Sequence, residues 1–126
     1  MARLQAHGVR TGIVTSKYRY RIMEALTRDN SVHLVAHIVG FEDVSKHKPD
    51  PESIWQAAEF FNARESLNTI LFVGDSLFDA EGARNAGVDF AAVLYGTTPR
   101  ADFEPLPHVL IAESLAEITD FATRKE

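Results

Sequence analysis

Five short apolar runs divide the chain, and they show little alternation with polar residues. They lie at residues 9–15, 36–40, 69–74, 90–95 and 109–111. An apolar run of this length without alternation is typical of a strand that is covered on both faces of a parallel sheet. The pattern therefore predicts five buried strands.

Segments with the helical spacing of apolar residues lie between these runs, at residues 18–28, 51–61 and 78–86. Asp50 is the predicted N-cap of the second helix, and Gly87 is the predicted end of the third. Ser114 and Glu117 have the spacing of a capping box, which predicts a last helix beginning after residue 114.

Strands that alternate with helices predict an α/β fold, with a Rossmann-like parallel sheet in three layers and helices on both faces. In such a fold, ligands bind at the carboxyl ends of the strands, so polar residues at those ends are the first candidates for chemistry. Residues 96–107 are polar and contain prolines, and they are predicted to form a surface loop.

Composition narrows the classes of function. The chain has 126 residues, 45% of them hydrophobic, which suits one globular domain. Its net charge of −5 argues against a nucleic-acid-binding domain, and the absence of cysteine excludes disulfides, cysteine-based zinc sites and thiol nucleophiles. No apolar run approaches the ~20 residues of a membrane span, and residues 1–10 lack an apolar signal core, so a cytoplasmic protein without a membrane partner is expected.

The first strand runs into Thr15, Ser16 and Lys17, and a predicted helix follows. The start of a helix presents unpaired N–H groups and the positive end of its dipole, so this segment could bind an anion such as phosphate. The alternative is that Ser16 only caps the helix.

Lys48 stands just before the helix that Pro51 is expected to begin. A lysine fixed in this way offers a point charge to a phosphate group. The alternative is a basic loop that is simply solvated.

The third strand ends in Gly74 and Asp75. A carboxylate at the end of a buried strand is costly unless it is paired, and Mg²⁺ takes one or two carboxylates together with water and phosphate oxygens, so Asp75 is a candidate metal ligand. Asp79 lies one helical turn further on and could support the same site. Because Ser76 and Asp79 also have the spacing of a capping box, a purely structural role for Asp79 stays open.

These three segments together resemble the haloacid dehalogenase-like hydrolases, specifically the core domain of the phosphoglycolate phosphatase and pyrophosphatase group. Residues 12–17 (GIVTSK) are similar to the second motif of that family, residues 48–52 (KPDPE) to the third, and residues 74–79 (GDSLFD) with 80–87 to the fourth. The resemblance extends over nearly the whole chain.

The resemblance implies a function and a role for each candidate. It implies a Mg²⁺-dependent phosphatase that acts on a small phosphorylated metabolite through an aspartyl-phosphate. Thr15 and Lys48 would be catalytic, Thr15 binding the phosphoryl group and Lys48 neutralising charge. Ser16 and Lys17 would assist in binding the substrate. Asp75 would ligate Mg²⁺, with Asp79 as a further acidic group.

The sequence also departs from the family pattern. Members begin with a strand ending in Asp-x-Asp, which supplies the nucleophile and the general acid, and many carry a cap domain. This chain has no Asp before Asp29 and no Asp-x-Asp. Residues 2–6 resemble the end of a helix that His7 and Gly8 terminate. We therefore expect residues 1–126 to be a partial core domain without the first motif and the cap, and to have little or no activity alone.

In the family sheet the missing strand is central, so its loss would leave two unpaired strand edges facing each other. Three outcomes are open: the strands pair directly, another chain fills the gap, or the sequence is part of a longer product. Accordingly, the alternative to a phosphatase is a non-catalytic remnant. Such a remnant would bind Mg²⁺ and phosphate, or it would bind a partner chain that completes the sheet, which could be a second copy of this chain. A third possibility is that the motifs serve only packing and capping.

Overall fold

A computed structural model describes residues 2–123 of the chain. In chain order its regular elements are α1 (Ala2–Ala6), β1 (Gly12–Val14), α2 (Arg19–Arg28), β2 (His37–Val39), α3 (Glu52–Phe60), β3 (Leu71–Gly74), α4 (Leu77–Ala86), β4 (Asp89–Val93), α5 (Arg100–Phe103), β5 (Leu110–Ala112) and α6 (Leu115–Thr123). Every predicted strand and helix is present. No helix within residues 2–123 has the length and apolarity needed to cross a membrane.

All described strand pairs are parallel, and they form two sheets. β1 pairs with β2, with Gly12 opposite His37 and Val14 opposite Val39. The other sheet has the strand order β3–β4–β5. The parallel α/β fold predicted from the sequence is thus confirmed, although the five strands do not form one continuous sheet.

The central strand β4 shows why helices cover both faces of the larger sheet. Phe90 and Ala92 join a core that includes the alanines of α4. Ala91 and Val93 point the opposite way and pack with Ile118 of α6. Because side chains alternate between the two faces of a strand and these four are all buried, the sheet must be covered on both sides. This arrangement is the predicted three-layer architecture.

Contacts between helices hold the two sheets together. α3 packs on β1 and β2 and also on α4, which covers β3 and β4. Trp55 of α3 donates its indole N–H to the carbonyl of Ala86, at the end of α4. Elsewhere α1, which precedes β1, contacts α6, and Arg3 lies 2.7 Å from the Asp120 carboxylate.

One edge of β1 and one edge of β3 have no strand partner among the described residues. The consequence is clearest in β3, where all four residues are partly exposed although three of them are apolar. In the neighbouring β4, by contrast, every residue after Asp89 is buried. Direct pairing of β1 with β3, one of the three outcomes left open by the sequence, is therefore not the arrangement of residues 2–123.

The direction of the unpaired backbone groups follows from the bonds on the paired side. Thr15 donates its N–H to the last residue of β2, and Ile70 accepts a bond from the first residue of β4. Because the N–H and C=O groups of consecutive residues point to opposite sides of a strand, those of Val14 and Val73 point away from the paired neighbours. These groups form the two open edges.

The prediction of a surface loop over residues 96–107 is wrong in part. Residues Arg100–Phe103 form α5, and the side chain of Phe103 is only 1% exposed. Its ring lies 6.1 Å from that of Phe90, measured between centroids. One aromatic residue in a polar stretch produces no periodic signal, so this short helix depends on tertiary burial and not on a local pattern.

The predicted ends of α4 are confirmed in detail. Ser76 and Asp79 form a reciprocal capping box, and Gly87 ends the helix in the left-handed conformation at φ 82°. At α3 the prediction of Asp50 as the N-cap is wrong by one residue, because the N-cap is Pro51. The Asp50 carboxylate nevertheless accepts the N–H of Glu52, the first residue of the helix, at 3.0 Å.

Candidate active site

A cavity of about 470 Å³ opens where β1 and β3 end. Five of the six residues predicted for the site line it, namely Thr15, Ser16, Lys48, Asp75 and Asp79. They come from three separate segments of the chain, and the parallel strands and α3 bring those segments to one place. The cavity therefore has the position expected for a ligand site at the carboxyl ends of the strands.

Thr15 extends β1 by one hydrogen bond, since its N–H donates to the carbonyl of Val39 at 2.9 Å. Its Oγ1 accepts the N–H of Lys17 at 3.1 Å, which leaves the hydroxyl proton able to donate elsewhere. Ser16 is exposed beside it. The alternative in which Ser16 caps α2 is wrong, because the N-cap of α2 is Tyr18, which makes no side-chain capping bond.

The loop before Lys48 is fastened by a residue that follows it. The carboxylate of Glu52 accepts hydrogen bonds from the Ser45 N–H at 3.1 Å, the Ser45 hydroxyl at 3.1 Å and the Lys46 N–H at 3.0 Å. These bonds, led by the Ser45 N–H and opposed by partial desolvation, lower the pKa of Glu52 from its ordinary value of 4.5. The backbone that carries Lys48 is thus held from the first turn of α3.

The side chain of Lys48 is mostly buried and points to Asp79. Its Nζ lies 2.7 Å from Asp79 Oδ1, and the side chains are 13% and 12% exposed. Nζ also lies 5.3 Å from the centre of the Phe72 ring. Gly82 of α4 faces the aliphatic stem, and a Cβ there would make an ordinary van der Waals contact with Lys48 Cγ at 3.4 Å. The lysine is not a solvated surface residue, so the alternative of a solvated basic loop is wrong for Lys48.

Asp79 is the buried carboxylate of the site. While Oδ1 meets Lys48, Oδ2 accepts the N–H of Asp75, the N–H of Ser76 and the Ser76 hydroxyl. Both oxygens are therefore engaged by protein groups. The sequence analysis expected the unfavourable burial of a charged carboxylate at Asp75. In the structure the buried carboxylate is that of Asp79, and these four contacts offset the cost of its burial.

Asp75 itself is exposed, and its carboxylate makes no hydrogen bond or ion pair with any described residue. Gly96 lies close behind it, because a Cβ at Gly96 would stand 2.9 Å from Asp75 Oδ2. Residues 2–123 contain no cluster of three or more Asp, Glu or His side chains that could hold a metal ion. Asp75 fits a Mg²⁺ that takes one carboxylate and completes its shell with water and phosphate oxygens.

Lys17 is the one predicted site residue that the cavity does not include. It lies along a second groove, on the surface of α2, together with Arg21 and Arg28. The backbone bends at Ser16 and Lys17 after β1, and the Thr15 Oγ1 accepts the Lys17 N–H within this bend.

Residues that fasten the site were missed by the sequence analysis. Glu52 holds the loop before Lys48, and Gly96 leaves space for the Asp75 carboxylate, which a Cβ there would meet at 2.9 Å. Glu52 had a detectable signal, since an acidic residue in the first turn after Pro51 is placed to accept nearby N–H groups. Gly96 had none, because its role depends on a loop that packs on Asp75 only in the folded chain.

A parallel α/β fold that gathers a hydroxyl, an ammonium group and a free carboxylate at its strand ends has polar groups at the place where α/β proteins of this class bind their ligands. A family model described as haloacid dehalogenase-like hydrolase matches residues 1–93. The chain belongs to this family of hydrolases.

Named relatives agree with this assignment. A protein of Caldanaerobacter subterraneus subsp. tengcongensis, provisionally named pyrophosphatase PpaX, is 38% identical over 100 residues, covering 79% of this chain and 44% of the relative. The pyrophosphatase PpaX of Bacillus cereus strain B4264 is 30% identical over 115 residues, covering 91% and 52%. The chain spans about half the length of these curated relatives.

A solved structure gives the same result for the fold. The chain is similar to a Bacteroides fragilis protein, provisionally named a haloacid dehalogenase-like hydrolase, with a TM-score of 0.88 and 36% identity. The match covers 93% of this chain and 55% of that protein. The partial coverage fits a chain that contains part of the family's core.

Proposed function

We propose that this chain is the phosphate- and Mg²⁺-binding part of a phosphatase-type hydrolase that acts on small phosphorylated metabolites in the cytoplasm. The observation that carries the proposal is the convergence of Thr15, Lys48 and Asp75 on one cavity. A donor hydroxyl and an ammonium group favour a phosphoryl group, and catalysis of phosphoryl transfer depends largely on such positioning and neutralisation of charge.

Each residue has a distinct task in this proposal. The Thr15 hydroxyl and the Ser16 N–H bind phosphoryl oxygens, and Lys48 supplies positive charge to the same group. Asp75 would hold Mg²⁺, which when bound neutralises charge on the phosphoryl group. Asp79 acts through its neighbours as a positioning residue, because its two oxygens hold Lys48 and the backbone of Asp75.

Ligand-dependent stability tests this assignment directly. Millimolar Mg²⁺ with inorganic phosphate should raise the melting temperature of the chain by about 4 °C, since a ligand that binds only the folded state stabilises it. Asp75→Asn should abolish the rise. The control is Asp89→Asn, which changes an exposed aspartate at the start of β4, outside the cavity, and should keep it. An unshifted melting temperature in the unmodified chain would remove the basis of the proposal.

A turnover assay tests whether the chain lacks the catalytic nucleophile. Because the printed sequence has no Asp-x-Asp and no Asp before Asp29, we expect little or no hydrolysis of p-nitrophenyl phosphate by the 126-residue chain with Mg²⁺. Hydrolysis at ordinary enzymatic rates that is lost in Asp75→Asn would mean that another group attacks the phosphate, and our account of the catalytic residues would be wrong.

The open edges of β1 and β3 favour a second candidate function, the binding of a partner segment. We propose that this segment is an extended apolar strand that pairs with both edges, running parallel to them. Light scattering and amide exchange test it. A dimer would identify the partner as a second copy of the chain. A monomer in which the Val73 amide is already protected would contradict the proposal, since the edge would then be covered within one chain.

A further inference from the structure

The cavity has an apolar side as well as a polar one. Phe78, Tyr95 and Leu115, which we call the apolar rim, line the same cavity as Lys48 and Asp75. Their exposed fractions are 63%, 58% and 52%. Large apolar side chains left exposed together at the mouth of a cavity are typical of a ligand-binding site.

The rim is built from three elements that meet beside Asp75. Phe78 stands in the first turn of α4, three residues after Asp75, and Leu115 is the first residue of α6. Tyr95 follows β4 and precedes Gly96, where an added Cβ would stand 2.9 Å from Asp75 Oδ2. The apolar side chains therefore flank the carboxylate that we assign to Mg²⁺.

Tyr95 is held in place although it is exposed. Its phenolic oxygen accepts the N–H of Leu115 at 2.9 Å, which also satisfies a free donor at the start of α6. A ring fixed at its far end loses little conformational freedom when a ligand covers its face. This bond holds the Tyr95 ring of the rim in position before a ligand binds.

We propose that the apolar rim binds the organic group of a phosphate monoester, and that this group is apolar and preferably planar. The inference rests on the proposed function, since the polar side of the cavity would hold the phosphate while the rim contacts the remainder of the molecule. A cavity of about 470 Å³ has room for a phosphate group and a ring. Inorganic pyrophosphate offers no apolar surface to the rim and would gain nothing from it.

Two phosphonates that differ only in the organic group test the proposal in the full 126-residue chain. Phenylphosphonate and methylphosphonate both lack the ester bond, so binding is measured without turnover, by NMR titration in Mg²⁺. We expect phenylphosphonate to bind about tenfold more tightly, as burial of a ring against the rim predicts. Equal affinity would overturn the inference and leave the proposed function intact. Failure of both phosphonates and of inorganic phosphate to bind would overturn both.

Two neighbouring substitutions locate the effect. Phe78→Ser should bring the affinity ratio close to one. Leu77→Ser changes the adjacent residue of the same helical turn, which is also exposed but does not line the cavity, and it should keep the ratio. An unchanged ratio in Phe78→Ser would overturn the role of the rim, and so would an equal loss in Leu77→Ser, because the preference would then come from general surface hydrophobicity.

Discussion

Lys48 Nζ lies 2.7 Å from Asp79 Oδ1, and this contact joins the loop before α3 to the first turn of α4. Asp79 has a second structural role, because its other oxygen accepts hydrogen bonds from the backbone N–H groups of Asp75 and Ser76. The two residues therefore differ in what their removal leaves behind. Without Lys48, the Asp79 carboxylate keeps three donors, whereas without Asp79 the mostly buried ammonium group has no carboxylate beside it.

The first prediction concerns this asymmetry. Asp79→Ala should lower the free energy of unfolding by about 4 kcal/mol, since it leaves the buried Lys48 charge unpaired and removes the Asp79 half of the capping box. Lys48→Ala should cost about 2 kcal/mol, because the hydrogen bonds to Asp79 Oδ2 remain. Urea denaturation of the two variants measures the difference.

The exposed pair of Arg3 and Asp120 provides the matched control. Its atoms are also 2.7 Å apart, but the side chains are 53% and 63% exposed. Asp120→Ala should therefore change the free energy of unfolding by less than about 1 kcal/mol. A larger loss for Lys48→Ala than for Asp79→Ala would contradict the double role of Asp79.

The second prediction concerns Gly74, the last residue of β3. A Cβ at this position would stand 2.5 Å from Asp79 Cγ and Oδ2, so Gly74→Ala must displace the carboxylate. We expect a loss of about 2–3 kcal/mol in the free energy of unfolding. Gly82→Ala is the control within α4. Its Cβ would meet Lys48 Cγ at 3.4 Å, and the gain in helix propensity should make the change neutral or mildly stabilising. Equal costs for the two variants would show that the Asp79 contact is not the cause.

The arrangement of strands and helices could be predicted because each signal was local. In β4, the run from Phe90 to Val93 has no polar residue, and its two faces are indeed covered by α4 and α6. The capping box at Ser76 and the stop at Gly87 were equally visible. The burial of Phe103 was not, because it depends on residues that are distant in sequence.

The candidate site could be predicted in its composition but not in its detail. Thr15, Lys48 and Asp75 follow strands or precede a helix, so topology alone brings them together. The burial cost was expected at Asp75, but Asp75 is exposed and Asp79 is the buried carboxylate. Only the folded chain shows that α4 brings the Asp79 carboxylate against Gly74. The prediction for Lys17 differs from the structure because the sequence pattern does not show the bend at Ser16 and Lys17, after which Lys17 lines the groove on α2.

The third prediction concerns pH and Glu52. Its ionised carboxylate holds the Ser45 and Lys46 N–H groups, and the pKa is lowered from 4.5 in the folded chain. As the pH falls, Glu52 in the unfolded chain is therefore protonated near pH 4.5, and Glu52 in the folded chain is protonated only at a lower pH. The contribution of Glu52 to stability is complete above this pH and is lost as the pH falls through the lowered pKa. Urea midpoints measured from pH 6 to pH 3 should show this loss.

Glu52→Gln should remove that part of the pH dependence. The variant should also loosen the loop before Lys48 at neutral pH, since an amide cannot accept from three donors as a carboxylate does. Glu59→Gln, an exposed position of the same helix, is the control and should keep the pH profile of the unmodified chain. If the profiles of the chain and of Glu52→Gln coincide, Glu52 does not anchor the loop.

The last prediction concerns the open edge of β3. Adjacent residues of this strand differ in the direction of their backbone groups, so the Phe72 N–H points to β4 while the Val73 N–H points to the unpaired side. The Val73 amide should exchange with solvent at least about a hundredfold faster than that of Phe72, although the two are neighbours and both are partly buried. NMR-detected hydrogen exchange measures both amides in one experiment. The Val14 amide should behave as that of Val73 does, because it points away from β2. A segment that pairs with both edges would slow Val14 and Val73 together and leave Phe72 unchanged, whereas slow exchange at Val73 in the monomeric chain would mean that the edge is already closed.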